Sequence, residues 1–206
     1  MTRRPLTPSQ TIGPFFHGGL LRADAVRNML VPPDSDGERI RVEGHVYDGD
    51  RVAVPDALIE IWQANRHGRY HHPAEEGRAL LDRTFLGFGR SGTDSAGAYW
   101  FETIRPGRVA YDETRLQAPH ISVAVFARGL LNHLFTRLYF ADEFTNALDP
   151  VLQQVPVERR GSLMASRTIR DERAVYTFDI VLQGGGETVF FNFGRGRTTF
   201  AARSRG

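Results

Sequence analysis

The chain has 206 residues, of which 41% are hydrophobic and 24% charged, a globular composition with apolar surface for one sizeable core. It contains no cysteine, and all 26 basic residues are arginine, which excludes disulfides, thiolate metal sites, cysteine nucleophiles, lysine Schiff bases and a P-loop lysine. Four of those arginines lie in the last 13 residues with no acid among them, and without them 22 basic residues face 24 acidic ones, so the formal charge of +2 gives little support to nucleic-acid binding.

The start, MTRRPLTPSQ, has no apolar stretch after its arginines. No run reaches the roughly 18 apolar residues of a membrane span. A soluble, cytoplasmic protein is therefore expected. TPSQTIGPFF (7–16) carries two prolines, a glycine and two aromatics and reads as an extended, rigid arm. LLRADAVRNML (20–30) is a short helix candidate.

Strands follow. IRVEGHVYD (40–48) alternates apolar and polar residues, and DALIEIWQA (56–64) places Ile59, Ile61 and Gln63 on one face. Residues 65–89 form a long irregular excursion, and loops of that length in a compact domain are usually functional or packed against something. GAYWFETI (97–104) follows a TDSAG turn and ends at RPG. HISVAVFA (120–127) and HLFTRLYF (133–140) are β-branched and aromatic. DPVLQQVPVERRGSLMAS (149–166) holds a second helix candidate, interrupted by Pro156. AVYTFDIVLQ (174–183) and ETVFFNF (187–193) flank a triple glycine as in a closing hairpin. Many short strands between turn signals predict a mainly β, sandwich-type domain over 1–193, with an arm at about 1–19. Residues 194–206 are left as an arginine-rich tail, mobile or in surface contact.

Seven histidines are available, at 17, 45, 67, 71, 72, 120 and 133. His120 lies on a strand among apolar neighbours, where a satisfied buried imidazole is commoner than a metal ligand. His71 and His72 are adjacent and face opposite ways on an extended chain. No G-x-S-x-G elbow is present. GFGRSG precedes a strand, so it is no dinucleotide loop.

The ordered set TPSQTIGPFF, VYD, ALIEIWQANRHGRY, TDSAGAYWFETIRPG, APHISVAVFARG, TRLYF and YTFDIVLQGGGETVFFNF resembles the intradiol ring-cleaving dioxygenases from about Thr7 to Phe193. The resemblance implies a β-sandwich and chemistry on a non-haem iron(III). Two tyrosines and two histidines hold that iron in the metal-bearing chains, since a hard cation favours anionic oxygen donors. Only one of the four ligand positions is matched here, by His120. The second histidine position holds Ser122, and the two tyrosine positions fall on Val109 and Gly77. The arginine that precedes the histidines is replaced by Gln117.

The resemblance therefore implies an alpha-type chain, non-catalytic in itself, paired with a homologous beta chain that holds the iron(III). The pair would cleave protocatechuate with dioxygen. Thr11, Gly13, Pro14 and Arg128 of this chain are then expected to border the substrate, with Arg128 facing its carboxylate. The interface is expected to be large and apolar, and RLYF and VFFNF are either part of it or core. Two alternatives stand beside this reading. One is a self-sufficient dioxygenase with ligands drawn from Tyr111, His120, His133 and His71 or His72. The other is a transthyretin-like binding module.

Overall fold

The computed structural model describes residues 11–13, 18–32, 35–75, 80–192 and 199–200, the last pair as backbone alone. Its strands are β1 (Arg39–Tyr47), β2 (Leu58–Trp62), β3 (Phe88–Gly92), β4 (Ala98–Ile104), β5 (Val109–Ala110), β6 (Leu116–Gln117) and β7 (His120–Phe126). They continue as β8 (Leu134–Phe140), β9 (Met164–Arg170), β10 (Arg173–Thr177), β11 (Ile180–Val181), β12 (Phe191–Asn192) and β13 (Thr199–Phe200). Among the described residues, no helix is long and apolar enough to cross a membrane.

One layer runs β3-β2-β7-β8, and β12 adds to β8. The other runs β4-β1-β10-β9. β9 belongs to both. Met164 and Ala165 lie parallel to Tyr139 and Phe140 of β8, and Ser166–Arg170 then turn antiparallel to β10. The sequence explains the enclosed core by alternation. Ile40, Val42, Phe101 and Tyr176 point inward from one layer, and Ile59, Ile61, Ile121, Val123, Val125, Leu138 and Phe140 from the other. A smaller cluster, including Tyr139, Leu152, Leu163 and Phe191, packs on the outer side of β8. RLYF and VFFNF are thus largely core: Leu138, Tyr139, Phe140, Phe190 and Phe191 are all buried.

Residues 20–30 are not a helix. After a turn at Arg22–Val26, Arg27 exchanges backbone bonds with Arg90 of β3, and Leu30 and Asn28 bond to Glu102 of β4. This strap covers the open side between the two layers, and pairing with two strand edges outweighs the weak local helix propensity. The second helix candidate resolves into 3-10 turns at Leu152–Gln154 and Val157–Leu163, with Pro156 as the N-cap of the latter. The closing hairpin is also shorter than expected. The triple glycine turns Thr188 back onto Val181, but Phe191 then leaves to pair with Phe135 of β8. Between β10 and β11 the ladder breaks at Phe178, whose carbonyl accepts from the Tyr99 hydroxyl at 2.6 Å. Within the tail, Thr199–Phe200 pairs with β12.

The excursion after β2 is tied to the end of β4. Buried Gln63 donates through Nε2 to the Ile104 carbonyl (2.9 Å) and accepts from Thr103 Oγ1 (2.8 Å). Asn65 Oδ1 accepts from the amides of His67 and Arg69, and the Asn65 carbonyl accepts from Gly68 and Gly107. Gly68 adopts φ +72°, and a β-carbon there would lie 1.8 Å from the Arg108 carbonyl oxygen. No L side chain fits without moving backbone. Gly68→Ala is expected to destabilise the fold by about 2–4 kcal/mol, read as a lower urea midpoint at unchanged slope. A midpoint within error of the parent would show that this loop does not carry the fold.

Candidate functional site

β7 and β8 pair antiparallel with His120 opposite Tyr139 and Ser122 opposite Arg137. Alternate residues share a face, so these four side chains gather on the outer face of the layer while Ile121, Val123 and Leu138 enter the core. Trp62, the register partner of Ser122 on β2, extends the same face. β6 brings Gln117 to its edge, paired with Val109 of β5. A cleft of about 450 Å³ lined by Trp62, Arg69, Tyr70, His72, Ala74, Glu75 and Ala110 lies beside this group. Tyr70 stacks on Trp62 at 5.9 Å.

His120 is 2% exposed. Its Nδ1 lies 2.8 Å from the Ala118 carbonyl, which can only accept, so Nδ1 carries the proton and Nε2 the lone pair. Burial and the nearby Arg137 charge hold its pKa down to about 4, against the opposing pull of the Ala118 carbonyl and Asp149. Arg137 Nη1 donates to Gln117 Oε1 at 2.7 Å and lies 3.4 Å from the Tyr139 hydroxyl. That hydroxyl donates to Asp149 Oδ1 at 3.1 Å. Burial, reinforced by Asp149, pushes the Tyr139 phenol up in pKa despite Arg137. Gln117 Nε2 donates to the Ala110 carbonyl at 3.2 Å.

The other expected positions lie apart. Val109 is a partly buried backbone partner in the β5–β6 pair. Tyr111 is 41% exposed and sits under Arg115, 4.7 Å from ring centroid to guanidinium, so no shifted loop delivers it. Gly77 and Pro14 lie outside the described residues. His133 precedes β8, next to the Val125–Leu134 pair at the far end of the hairpin from His120. The ligand set of the self-sufficient alternative is therefore not assembled. Among the described residues, no group of three or more His, Asp or Glu side chains could hold a metal.

Arg128 lies in the β7–β8 turn, 72% exposed, with its Nε paired to Asp56 Oδ2. Thr11 Oγ1 accepts from the amide of Gly129, next in sequence, at 2.9 Å. Gly13 has open space where a β-carbon would stand. Thr11 and Arg128 thus meet at one end of β7 and the His120 group lies at the other. The seven-residue strand β7 separates the two, its length about 20 Å at 3.3 Å per residue. Sequence reading missed Arg137 and Asp149. The signal for Arg137 was present: in TRLYF it sits two residues from Tyr139, hence on the same face.

This sandwich and its lone histidine define a class. Residues 12–184 match the family model described as Dioxygenase, and the chain belongs to the intradiol ring-cleavage dioxygenase family. Within it, the chain is 43% identical to the protocatechuate 3,4-dioxygenase alpha chain of Burkholderia cepacia, over 93% of this chain and 100% of that one. It is 35% identical to the beta chain of the same organism's enzyme, over 87% of this chain and 77% of the other. Among solved structures it resembles the dioxygenase domain of a dioxygenase carbohydrate-binding fusion protein from Streptomyces sp. SirexAA-E. There the TM-score is 0.60 at 24% identity, over 87% of this chain and all of that one, a likeness of fold.

The residues present do not fit the iron that this family uses. One imidazole remains, and the group around it contains a guanidinium. The buried Arg137 Nε has no hydrogen-bond partner among the described residues, and an N–H donor has the wrong polarity to face a cation. No chemistry is assigned to a metal in this chain.

The depressed His120 pKa links stability to pH. The unfolded chain takes up the His120 proton near 6.5 and the folded chain only near 4. The contribution is complete above pH 6.5 and is lost as pH falls towards 4, at most about 3 kcal/mol. The charged or titratable groups around the ring are Arg137, Tyr139 and Asp149. Urea unfolding at pH 7 and pH 4.5 is expected to show a larger acid loss for the parent chain than for His120→Gln. Equal losses would mean that His120 protonates freely in the folded state.

Proposed function

We propose that this chain is the alpha subunit of a protocatechuate 3,4-dioxygenase, supplying pocket wall to an active site whose iron(III) is held by a homologous beta chain. The assembled pair cleaves protocatechuate with dioxygen, between its hydroxyl-bearing carbons, to 3-carboxy-cis,cis-muconate. Held by the beta chain, iron(III) would supply a Lewis-acid centre for the catechol oxygens. The single observation that carries this reading is the pairing of an intact family scaffold with a ligand group reduced to His120. Similarity to both alpha and beta chains supports the same division of labour.

This chain's own contribution comes from the arm and the β7–β8 turn. Thr11, Gly13, Pro14 and Arg128 border the substrate in this reading. The bond from Thr11 to Gly129 supports it by tying the arm to the arginine's neighbour. The ion pair with Asp56 orients the Arg128 guanidinium, a planar fork suited to a carboxylate. Asp56 then acts as a positioning residue for the fork. The partner is the beta chain in an obligate heteromer of repeated alpha–beta pairs, and the location is cytoplasmic.

Reconstitution tests the reading. The chain purified alone should hold less than a tenth of an equivalent of iron and show no visible tyrosinate-to-iron band. Mixing with the beta chain should give colour and oxygen uptake with protocatechuate. A coloured, active chain without its partner would overturn it. In the reconstituted enzyme, Arg128→Ala should raise KM for protocatechuate at least tenfold, equivalent to about 1.4 kcal/mol, at unchanged iron content. Unaltered kinetics would remove Arg128 from the pocket.

A further inference from the structure

We infer that the Arg137 guanidinium is the resident cation of the His120 group, standing in the place of a metal ion and excluding one. The inference concerns the end of β7 remote from Arg128 and does not depend on the subunit assignment.

Arg137 is placed by register. It lies opposite Ser122 on the neighbouring strand, and Ser122 is the position at which the family resemblance places the second imidazole. Shortening that side chain to a hydroxymethyl group leaves room on this face, and Arg137 fills it from β8. Its Nη1 binds the Gln117 oxygen at 2.7 Å and approaches the Tyr139 hydroxyl at 3.4 Å. Its charge also reaches His120 and Tyr70. The guanidinium thus meets an amide oxygen and a phenol oxygen on the face that carries the His120 imidazole, groups that a bound cation would need.

The charge is balanced inside the protein. Asp149 is fully buried and lies one hydrogen bond beyond Tyr139. The order Gln117, Arg137, Tyr139, Asp149 is a chain from cation to anion through one phenol. Adding a metal to this group would place two positive centres within a few ångströms, where even an effective dielectric near 20 leaves strong repulsion. Gln117 completes the arrangement. The metal-bearing pattern has an arginine there. In this chain that position is a neutral acceptor, and the positive charge enters from the next strand. A second arginine at 117 would repel Arg137, whereas an amide oxygen binds it.

The test is the uptake of cobalt(II) by the full chain. Ser122→His restores two imidazoles on one face at i and i+2. Alone, it should bind cobalt(II) no better than the parent. In Ser122→His/Arg137→Gln the dissociation constant should fall at least tenfold relative to Ser122→His. Equal binding by the two variants, or no binding by the double variant, would overturn the inference. A second measurement needs no added ligand residue. Arg137→Ala leaves a guanidinium-sized gap, and millimolar ethylguanidinium should raise its unfolding midpoint, or its yield of folded protein, but not those of the parent. If ethylguanidinium has no effect on Arg137→Ala, the site does not hold a cation of this kind.

Discussion

The buried carboxylate of Asp149 is the interaction on which the outer layer is built. Its Oδ2 accepts from the Ala118 amide at 2.8 Å. Its Oδ1 accepts from the amides of Val151 and Leu152, at 2.9 and 2.7 Å, and from the Tyr139 hydroxyl. One side chain thus fixes the segment before β7, the first turn after Pro150 and a strand residue of β8. An ionised carboxylate without access to water is costly unless its lone pairs are filled. Three amides and a phenol fill them, and Arg137 supplies opposite charge beyond the phenol. Loss of any one member would leave a buried donor or acceptor unpaired. The group behaves as one unit, which accounts for the survival of His120 in a place without metal: its Nδ1–H satisfies the Ala118 carbonyl, while the amide of the same residue goes to Asp149.

The motifs that identify the family turn out to serve the scaffold. The glutamine of WQAN bridges to Thr103 and Ile104, and its asparagine organises the loop through Gly68 and Gly107. The arginine of RPG, Arg105, pairs with Asp142 and Glu143 and lies 4.7 Å over the Phe140 ring. The hydroxyl of Tyr176 joins the same group. The Gln63 and Arg105 contacts tie the second layer to the first across a long sequence separation. A chain can lose metal ligands from its outer face while all of these remain, because they lie in or at the edge of the sandwich. Similarity in such motifs therefore reports the fold and says little about which chain carries the chemistry.

Much of the fold was legible in the sequence, for a physical reason. Alternation in residues 40–48, 97–104 and 120–127 follows from a sheet with one face in the core, and those strands lie within a residue of their expected limits. Periodicity failed where a tertiary contact overrode it. Residues 20–30 carry a helix-like pattern, but Leu30 is needed over the gap between β3 and β4, and the backbone extends to reach it. β3, FGRSG, has little apolar content and forms because Arg90 pairs with Glu60 at 2.6 Å and the strap covers its edge. At the site, the sequence reading rested on the family resemblance, which sets Ser122, Val109 and Gly77 at the ligand positions and Gln117 at the arginine position. The spacing to Tyr139 gives the face of Arg137, but its position opposite Ser122 could not be placed without the β7–β8 register.

The two ends of β7 show how one strand separates two kinds of site. At its start, burial and the hydrogen-bonded order Gln117, Arg137, Tyr139, Asp149 make an inward-turned group that has little to offer a solute. At its end, Arg128 is exposed, ion-paired with Asp56, and adjoined by the arm through Thr11. A guanidinium in water gains little from an exposed ion pair, so the Asp56 contact contributes mainly orientation. Its value would rise only when a second surface excluded water from the guanidinium. That condition belongs to an interface. On the proposed function, what this chain adds is an arginine in the β7–β8 turn, oriented by Asp56 and adjoined by Thr11 of the arm through Gly129.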